Sequence, residues 1–459
     1  MAPSTTKRNV ASVTAAVDVD QSSPVKPLVF GWTFSRWRIV ATLLAAIIQT
    51  LSLWSVWSWS YRNGDAIYYQ GQATLNTRGY WFMDYADYLR GLGEGKAIFN
   101  PTASHPPLTS VVFTVCDWLH LTSFRSHSVV FAIIFVGAVY LLIKVMKDLV
   151  GEGVGIVAGL LVACNPYLVA NTGSGLPETL VMALVIVLMW CVVQLWRSRK
   201  LRYGFAAGAV VSACAQTRAE LMLLLVVVMI PSLILLGKGG RYERLRCGAA
   251  VLAAFVALSA PWVIRNQVTF TNSVVFSDEF GTTLADSNCR ATYYGDQLGY
   301  WYLPCWTQVP VPSTGDESVI DAVREKAGLE YIKHHKFRAV QVVIIRELMA
   351  WNFYDPAREV RYGLKIGRTE VQSTLGLIVS YPLYLLAIVG GWKKRKDAKA
   401  LLFPLAFIVT GSAAVAVTFA SQRYLVEAQL GVSLLAAIGL VELTKSAAKK
   451  KSRKMVTHP

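Results

Sequence analysis

Apolar runs long enough to cross a bilayer recur along the chain, and they restrict its fold more than any other feature. A helix of about 20 apolar residues spans the ~30 Å hydrocarbon core of a membrane. Hydrophobic residues make up 54% of the sequence and charged residues only 16%, whereas a soluble domain carries about a quarter charged residues. The sequence therefore predicts an all-α polytopic membrane protein.

The apolar runs predict ten spans, with basic clusters at the ends of alternate spans. The spans are 39–60, 127–146, 153–171, 178–196, 203–217, 220–236, 247–264, 372–392, 400–419 and 424–443. Clusters such as RSRKLR and KKRK fall on the same side, as expected where Lys and Arg keep loops in the cytoplasm. Both termini are thus predicted to be cytoplasmic, and the net charge of +17 is attributed to orientation in a plasma membrane rather than to nucleic-acid binding.

The same pattern divides the chain into regions. They are a disordered cytoplasmic tail (1–38), a transmembrane core (39–264) with its first outer loop (61–126), an extracytoplasmic segment (265–371), C-terminal transmembrane helices (372–444) and a basic cytoplasmic tail (445–459). Cys289 and Cys305 bracket a polar loop of the outer segment. An oxidising compartment favours a disulfide between them, with two unrelated free thiols as the alternative.

Polar residues gather at the predicted outer ends of the spans. They are Asp65, His105, Glu178, Arg218, Glu220, Arg265, Asn266 and Arg423. Each has an ordinary structural alternative, such as helix capping for Asp65, a first-turn position for Glu178 or snorkelling for an arginine. Because acids, one histidine and three arginines converge on one membrane face from separate parts of the sequence, we expect a site there.

Other chemistries lack their sequence signals. No predicted span carries an ionisable residue near its midpoint, where ion-coupled transporters generally need one. The sequence contains no Walker loop, no dinucleotide-binding fingerprint and no Gly-x-Ser-x-Gly elbow. The spacing of its Cys and His residues does not indicate a metal site.

The succession of motifs resembles the GT-C superfamily of membrane glycosyltransferases, most closely the bacterial branch related to protein O-mannosyltransferases and lipid A aminoarabinose transferases (glycosyltransferase family 39/83-like). The resembling segments are, in order, GDAIYYQGQA, SHPPL, GLPETL, TRAELMLL, APWVIRNQVTF with GTTLADSN, and QRYLVEAQLGVSLLAAIGL. The resemblance implies a GT-C type bundle of about ten transmembrane helices with an extracytoplasmic first loop and a small α/β outer segment.

The resemblance also implies roles for the polar residues in an extracytoplasmic active site. Asp65 corresponds to the catalytic acid of the first outer loop, and Glu178 is the candidate second carboxylate because Asp65 is followed by Ala66 instead of the usual second acid. This departure leaves both acids as candidates for the base. No residue is assigned as a metal ligand, and the need for a divalent metal ion is left open. The candidates for binding the donor phosphate are Arg423, Arg265, Arg218 and His105, and those for sugar or acceptor contacts are Tyr68, Tyr69, Glu220 and Asn266.

The implied activity is an inverting transfer of a hexose or pentose, such as mannose or arabinose, from a polyprenyl-phosphate donor in cell-wall biogenesis. The expected acceptor is an envelope glycan, a glycolipid or a protein. The aromatic loop CRATYYGDQLGYWYLPC is a candidate cover for the acceptor groove, or else forms a local core. The alternatives are a transporter or flippase of lipid-linked sugars and an inactive GT-C-like assembly partner.

Overall fold

Helices make up most of the part of the chain that the structure describes. The computed structural model describes residues 33–58, 64–237 and 240–456, and it describes side chains as far as residue 448. Within these ranges there is no β-strand, and one β-bridge pairs Met83 with Pro101. Residues 1–32 of the predicted N-terminal tail lie outside the described residues.

The described part contains twenty α-helices. In chain order they are α1 (Phe34–Val56), α2 (Gly64–Thr77), α3 (Tyr85–Gly93), α4 (Leu108–Trp118), α5 (Phe124–Val150), α6 (Glu152–Cys164), α7 (Pro166–Val169), α8 (Glu178–Ser198), α9 (Leu201–Thr217), α10 (Ile230–Ile234), α11 (Arg241–Thr269), α12 (Phe280–Ser287), α13 (Arg290–Tyr294), α14 (Leu303–Thr307), α15 (Glu317–His334), α16 (Lys336–Ala350), α17 (Pro356–Lys365), α18 (Glu370–Lys393), α19 (Ala398–Val417) and α20 (Val426–Val456).

Seven of these helices, namely α1, α5, α8, α11, α18, α19 and α20, are long and apolar enough to cross a membrane. An eighth crossing results if α6 and the helical segment Pro166–Gly173, which are bent by 61°, count as one broken span. The other two predicted spans coincide with α9 and with the apolar helical segment Ala219–Ile234. The prediction of a polytopic all-α membrane protein with about ten spans is confirmed.

Two breaks in the bundle arise from local sequence. Asn165 adopts an extended backbone, its side-chain oxygen accepts a hydrogen bond from the Tyr167 N–H at 3.1 Å, and Pro166 begins the next helix. Proline is favoured there because its missing N–H would have no partner in a first turn. Arg218 is also extended and separates α9 from a 3₁₀ turn at Ala219–Leu223. The second break brings a charged side chain to the end of a span.

The outer segment contradicts the prediction of a small α/β unit. The described residues between α11 and α18 form six helices, α12 to α17, and no strand. The run between α11 and α12 contains bends, and the carbonyls of its residues 274–276 accept hydrogen bonds from Trp262, Asn266 and Gln267 side chains at 2.9 to 3.3 Å. Because side chains of α11 satisfy these carbonyls, the run needs no partner strand.

The aromatic loop of the outer segment is closed by a disulfide between Cys289 and Cys305, as predicted. The second half of the loop contacts α12, where the Tyr302 N–H donates a hydrogen bond to the Asp286 carbonyl at 2.9 Å. Within the loop, the Gly299 carbonyl accepts a hydrogen bond from the Ala420 N–H at 2.9 Å. These contacts tie the loop to the segment that joins α19 to α20.

Two predicted region boundaries fall inside helices. Helix α1 begins at Phe34, within the predicted tail 1–38, and α20 continues to Val456, through the predicted boundary at 444. The described part of the basic C-terminal region 445–459 is therefore a continuation of the last span.

Helices α18 and α20 approach each other through glycine. A Cβ atom at Gly390 would lie 2.0 Å from the carbonyl oxygen of Leu435, and one at Gly439 would lie 2.1 Å from that of Leu386. A Cβ atom at Gly391, the next residue along α18, would meet nothing within 4 Å. The two adjacent glycines therefore differ in packing while sharing a helical backbone.

We predict that Gly390→Ala lowers thermal stability, because backbone of α20 must move to admit the methyl group and overpacking costs about 1–3 kcal/mol. The matched control Gly391→Ala should be neutral or stabilising by up to about 1 kcal/mol, since alanine favours a helix over glycine. Thermal unfolding of both variants in lipid nanodiscs, followed by tryptophan fluorescence, measures the difference. Equal midpoints for the two variants would contradict the packing described here.

Candidate active site

Arg423 joins the first outer loop to the helix bundle. Its Nη1 atom lies 2.7 Å from Asp65 Oδ2 and its Nε atom lies 2.8 Å from Glu178 Oε1. The Arg423 side chain is 14% exposed and the Glu178 side chain is fully buried. Charge-assisted hydrogen bonds of this kind are short and fix orientation as well as position. We refer to Arg423, Asp65 and Glu178 as the Arg423 triad.

Each residue of the triad stands at the start of a helix. Asp65 is in the first turn of α2, and Glu178 is the first residue of α8, after Pro177 at its N-cap. Carboxylates are favoured in both places because the N-terminal end of a helix carries partial positive charge. Arg423 lies in the 3₁₀ turn Gln422–Leu425 that precedes α20. The sequence had identified all three residues, and the structure brings them together.

Arg218 supplies a second guanidinium beside the same acid. Its Nη1 atom is 3.9 Å from Glu178 Oε1 and donates to the Arg423 carbonyl at 3.2 Å. Its Nη2 atom forms an ion pair with Glu220, and its guanidinium carbon lies 4.5 Å from the ring centre of Tyr424. Glu178 is thus held between two arginines, and Arg218 extends the charged cluster away from Asp65.

His105 extends the cluster on the opposite side. Its Nδ1 atom lies 2.8 Å from Glu279 Oε2, and its Nε2 atom lies 3.8 Å from Asp65 Oδ1. The rings of Tyr68 and Tyr69 pack against the imidazole with centres 4.8 and 5.1 Å away. Burial alone would lower the pKa of His105, but the Glu279 and Asp65 carboxylates raise it to about 9. His105 is therefore an imidazolium at neutral pH.

The charges around Asp65 keep it ionised. Burial would raise its pKa, but the Arg423 guanidinium and the His105 ring hold the pKa of this carboxyl below its ordinary value. Its two oxygens face these two cations, which leaves an environment that does not suit a divalent metal ion. Among the described residues, no group of three His, Cys, Asp or Glu side chains has the arrangement of a metal site.

Three predicted site residues outside the Arg423 triad do not line the cavity beside it. Arg265 donates to the Thr102 and Phe82 carbonyls at 3.0 and 3.1 Å and lies against the Trp262 ring. The Asn266 side chain accepts a hydrogen bond from its neighbour Arg265 at 2.9 Å and donates one to the Val275 carbonyl at 3.3 Å. The third residue is Tyr68, which accepts a hydrogen bond from the Gln72 side chain at 2.9 Å. The guanidinium of Arg265 thus binds the backbone of the first outer loop and is not part of the cavity lining.

The charged cluster opens into a cavity of about 730 Å³. Of the predicted residues, Asp65, Tyr69, His105, Arg218, Glu220 and Arg423 line it, whereas Glu178 lies behind Arg423. One wall is formed by a single face of α19, at Thr410, Ala413, Ala414 and Val417, together with Met222 and Leu223. The spacing of three, one and three residues is that of one helical face, and this wall is mostly apolar.

The opposite wall comes from the outer segment. It contains Phe280, Thr282, Thr283 and Asp286 at α12, Trp301 and Trp306 beside the disulfide, and Tyr362 and Lys365 in α17. Neither Glu279 nor Asp286 was a predicted site residue, although Asp286 lies in the segment GTTLADSN. Their acidic side chains carry no periodic signal because they come from a short helix and the irregular segment before it.

Comparison with known proteins supports the fold. Residues 104–264 match the family model of dolichyl-phosphate-mannose-protein mannosyltransferases, and a comparison with curated proteins gave no match. The oligosaccharyltransferase AglB from Archaeoglobus fulgidus, in complex with an inhibitory peptide and a dolichol-phosphate, superposes with a TM-score of 0.53 at 12% identity, over 93% of this chain and 53% of that chain. Its apo form gives 0.54 at 11% identity, over 92% and 52%.

ArnT from Cupriavidus metallidurans, bound to undecaprenyl phosphate, has a TM-score of 0.41 at 12% identity, over 88% of this chain and 78% of that chain. The chain spans about half the length of the archaeal oligosaccharyltransferases that it matches. The matched family segment contains His105, Glu178, Arg218 and Glu220. The predicted bundle fold is confirmed by the superposition on the archaeal oligosaccharyltransferase, and the predicted resemblance to protein O-mannosyltransferases is confirmed for residues 104–264.

The raised pKa of His105 predicts a pH-dependent contribution to stability. Because the folded pKa of about 9 exceeds the unfolded value of about 6.5, the contribution is complete below about pH 6.5 and is lost as the pH rises through about 9. The stability difference between wild type and His105→Gln should therefore be larger at pH 7 than at pH 10, as measured by thermal unfolding.

His334→Gln, an exposed position in α15, is the control and should show no such trend. A difference between wild type and His105→Gln that stays constant from pH 6 to pH 10 would contradict the assignment of an imidazolium beside Asp65.

Proposed function

We propose, from the GT-C fold, that the protein is an inverting glycosyltransferase that moves a sugar from a polyprenyl-phosphate carrier to an acceptor. The observation that carries this proposal is an ionised carboxylate, Asp65, that lines a cavity between an apolar helix face and an aromatic outer wall. A lipid-borne donor needs an apolar surface such as the helix face. An acceptor hydroxyl needs the carboxylate and access to it from the outer side of the cavity.

The apolar wall suits the lipid part of the donor. On α19, Ala413 and Ala414 are small side chains that leave room beside the helix, and Met222 on the same wall is 52% exposed. A polyprenyl chain buried there gains about 25 cal/mol for each Å² of apolar surface removed from water. The donor phosphate would then lie at the charged end of this wall.

Two arginines at that end can stabilise the leaving phosphate. Arg218 and Arg423 line the cavity, and their planar guanidinium groups match phosphate oxygens in geometry. The buried Glu178 fixes both of them, at 3.9 and 2.8 Å. We assign Glu178 as a positioning residue, because it lies behind Arg423 and does not reach the cavity. Arg265 is not retained as a phosphate ligand.

Asp65 is the proposed general base. The acceptor oxygen forms a bond to the anomeric carbon, its proton passes to the Asp65 carboxylate, and the bond from the anomeric carbon to the phosphate oxygen breaks. The electron pair of that bond stays with the polyprenyl phosphate. A single displacement of this kind inverts the anomeric centre, and the His105 imidazolium keeps Asp65 ionised until it accepts the proton.

The orientation of the helices supports an active site on the outer face of the plasma membrane. Helix α8 begins at Glu178 and ends beside the basic cluster 197–202, and α18 ends at the cluster 393–396. Basic clusters mark cytoplasmic ends. The Arg423 triad stands at the opposite end of α8, and we therefore propose cytoplasmic termini and an extracytoplasmic reaction with an envelope acceptor.

We predict that Asp65→Asn lowers kcat about 10²- to 10⁴-fold, the usual effect of losing a general base. The test is transfer from a panel of radiolabelled polyprenyl-phosphate sugars, with envelope extract as acceptor and purified protein in lipid nanodiscs. Asp148→Asn is a matched control, because Asp148 pairs with Arg197 at the other end of α8.

Equal turnover by Asp65→Asn and wild type would contradict the role of Asp65. Wild-type protein that transfers no sugar from any donor, but moves lipid-linked sugar across vesicles, would contradict the proposed reaction and favour a transporter.

A further inference from the structure

The outer wall of the cavity contains a buried carboxyl group that the proposed reaction does not use. Asp286 in α12 is 9% exposed and lines the cavity. Its Oδ1 atom is buried and has no hydrogen-bond partner among the described residues. A buried polar atom without a partner is costly, so the site is incomplete without a molecule that supplies one.

The positive charge of Arg346 lowers the pKa of Asp286, but Arg346 donates no hydrogen bond to Asp286 Oδ1. Arg346 is buried, and its donors go to the Ser287 carbonyl, to Asn288 Oδ1 at 3.2 Å and to the Ala416 carbonyl at 3.5 Å. Burial raises the pKa of Asp286 well above its ordinary range, and the Glu279 carboxylate raises it further. The raised pKa favours the protonated form of Asp286, which can donate a hydrogen bond as well as accept one.

Two tryptophans that line the same wall are held in place. The Trp301 indole N–H donates to the Tyr362 hydroxyl, and the Tyr362 ring stacks on Tyr300 with centres 4.7 Å apart. The Arg324 guanidinium lies 4.0 Å from the ring centre of Trp306. The disulfide at Cys305 lies between the two tryptophans in sequence. Both rings are thus fixed before any ligand binds, which reduces the entropy lost on binding.

We propose that this wall binds a sugar ring of the acceptor. Asp286 and Thr283 face its hydroxyl groups, and Trp301 and Trp306 face its C–H surfaces; we call this set the outer-wall subsite. The inference rests on the proposed function, and it narrows the acceptor to a glycan or glycolipid. Neutral groups that both donate and accept suit hydroxyls, which do the same.

A peptide acceptor fits this wall less well. An extended peptide binds by pairing its backbone with an open strand edge, and the carbonyls of residues 274–276 beside the cavity are already occupied by side chains of α11.

The first test is binding without turnover, which does not depend on transferase activity. Wild-type protein in nanodiscs is titrated with α-linked mannose and arabinose trisaccharides and with a neutral threonine-containing peptide, by saturation-transfer NMR and calorimetry. We expect binding of at least one trisaccharide and not of the peptide. Asp286→Ala and Trp306→Ala should weaken it about tenfold or more, and the milder Thr283→Val should weaken it less.

Trp392→Ala is the matched control, because Trp392 also carries an arginine over its ring, at 4.6 Å, but lies at the far end of α18. Unchanged trisaccharide binding in Asp286→Ala, Trp306→Ala and Thr283→Val, each with a wild-type melting temperature, would overturn the subsite. So would binding of the peptide alone.

The second test is kinetic and separates the acceptor from the donor. With transfer established, Thr283→Val and Asp286→Ala should raise KM for the acceptor and leave KM for the donor unchanged. A rise in the donor KM alone would overturn the inference by assigning the wall to the donor sugar. Trisaccharide binding that is lost in these variants, in a protein that transfers no sugar, would retain the subsite and contradict only the proposed function.

Discussion

The site depends on one arginine held between two carboxylates. Arg423 connects the first outer loop through Asp65 and the bundle through Glu178, and it comes itself from the turn before the last span. Removing one partner from a buried ion pair typically costs about 3–5 kcal/mol, because the other charge is left unpaired. The triad therefore fixes the position of the proposed base and of a proposed phosphate ligand in one arrangement.

The charges around the triad alternate in sign from one side of the cavity to the other. Arg218 continues them toward the apolar wall, and His105 with Glu279 continues them toward the outer segment. This alternation gives each buried charge a partner of opposite sign. It also places the proposed ionised base beside cations that could bind a phosphate. The two walls differ in chemistry, which would give the proposed lipid donor and the proposed sugar acceptor separate approaches to Asp65.

Hydropathy predicted the bundle because every span must be apolar, and the triad could be found because its members stand at span ends on one predicted face. The structure corrected what depends on side-chain direction. A guanidinium at a helix end looks the same in sequence whether it faces a cavity, as in Arg423, or supports a loop, as in Arg265. The run after α11 is rich in β-branched and aromatic residues, which favour a strand, but the carbonyls of residues 274–276 bond to side chains of α11. Glu279 was missed because an irregular segment has no periodicity.

The most direct measurement of the central claim is the anomeric configuration of the product. The protein in nanodiscs would be supplied with a polyprenyl-phosphate sugar of defined anomer, and the new linkage would be identified by NMR of the purified product. Single displacement with Asp65 as base predicts the opposite anomer from that of the donor. A product with the donor configuration retained would contradict this account, because it would require a covalent intermediate or a second displacement.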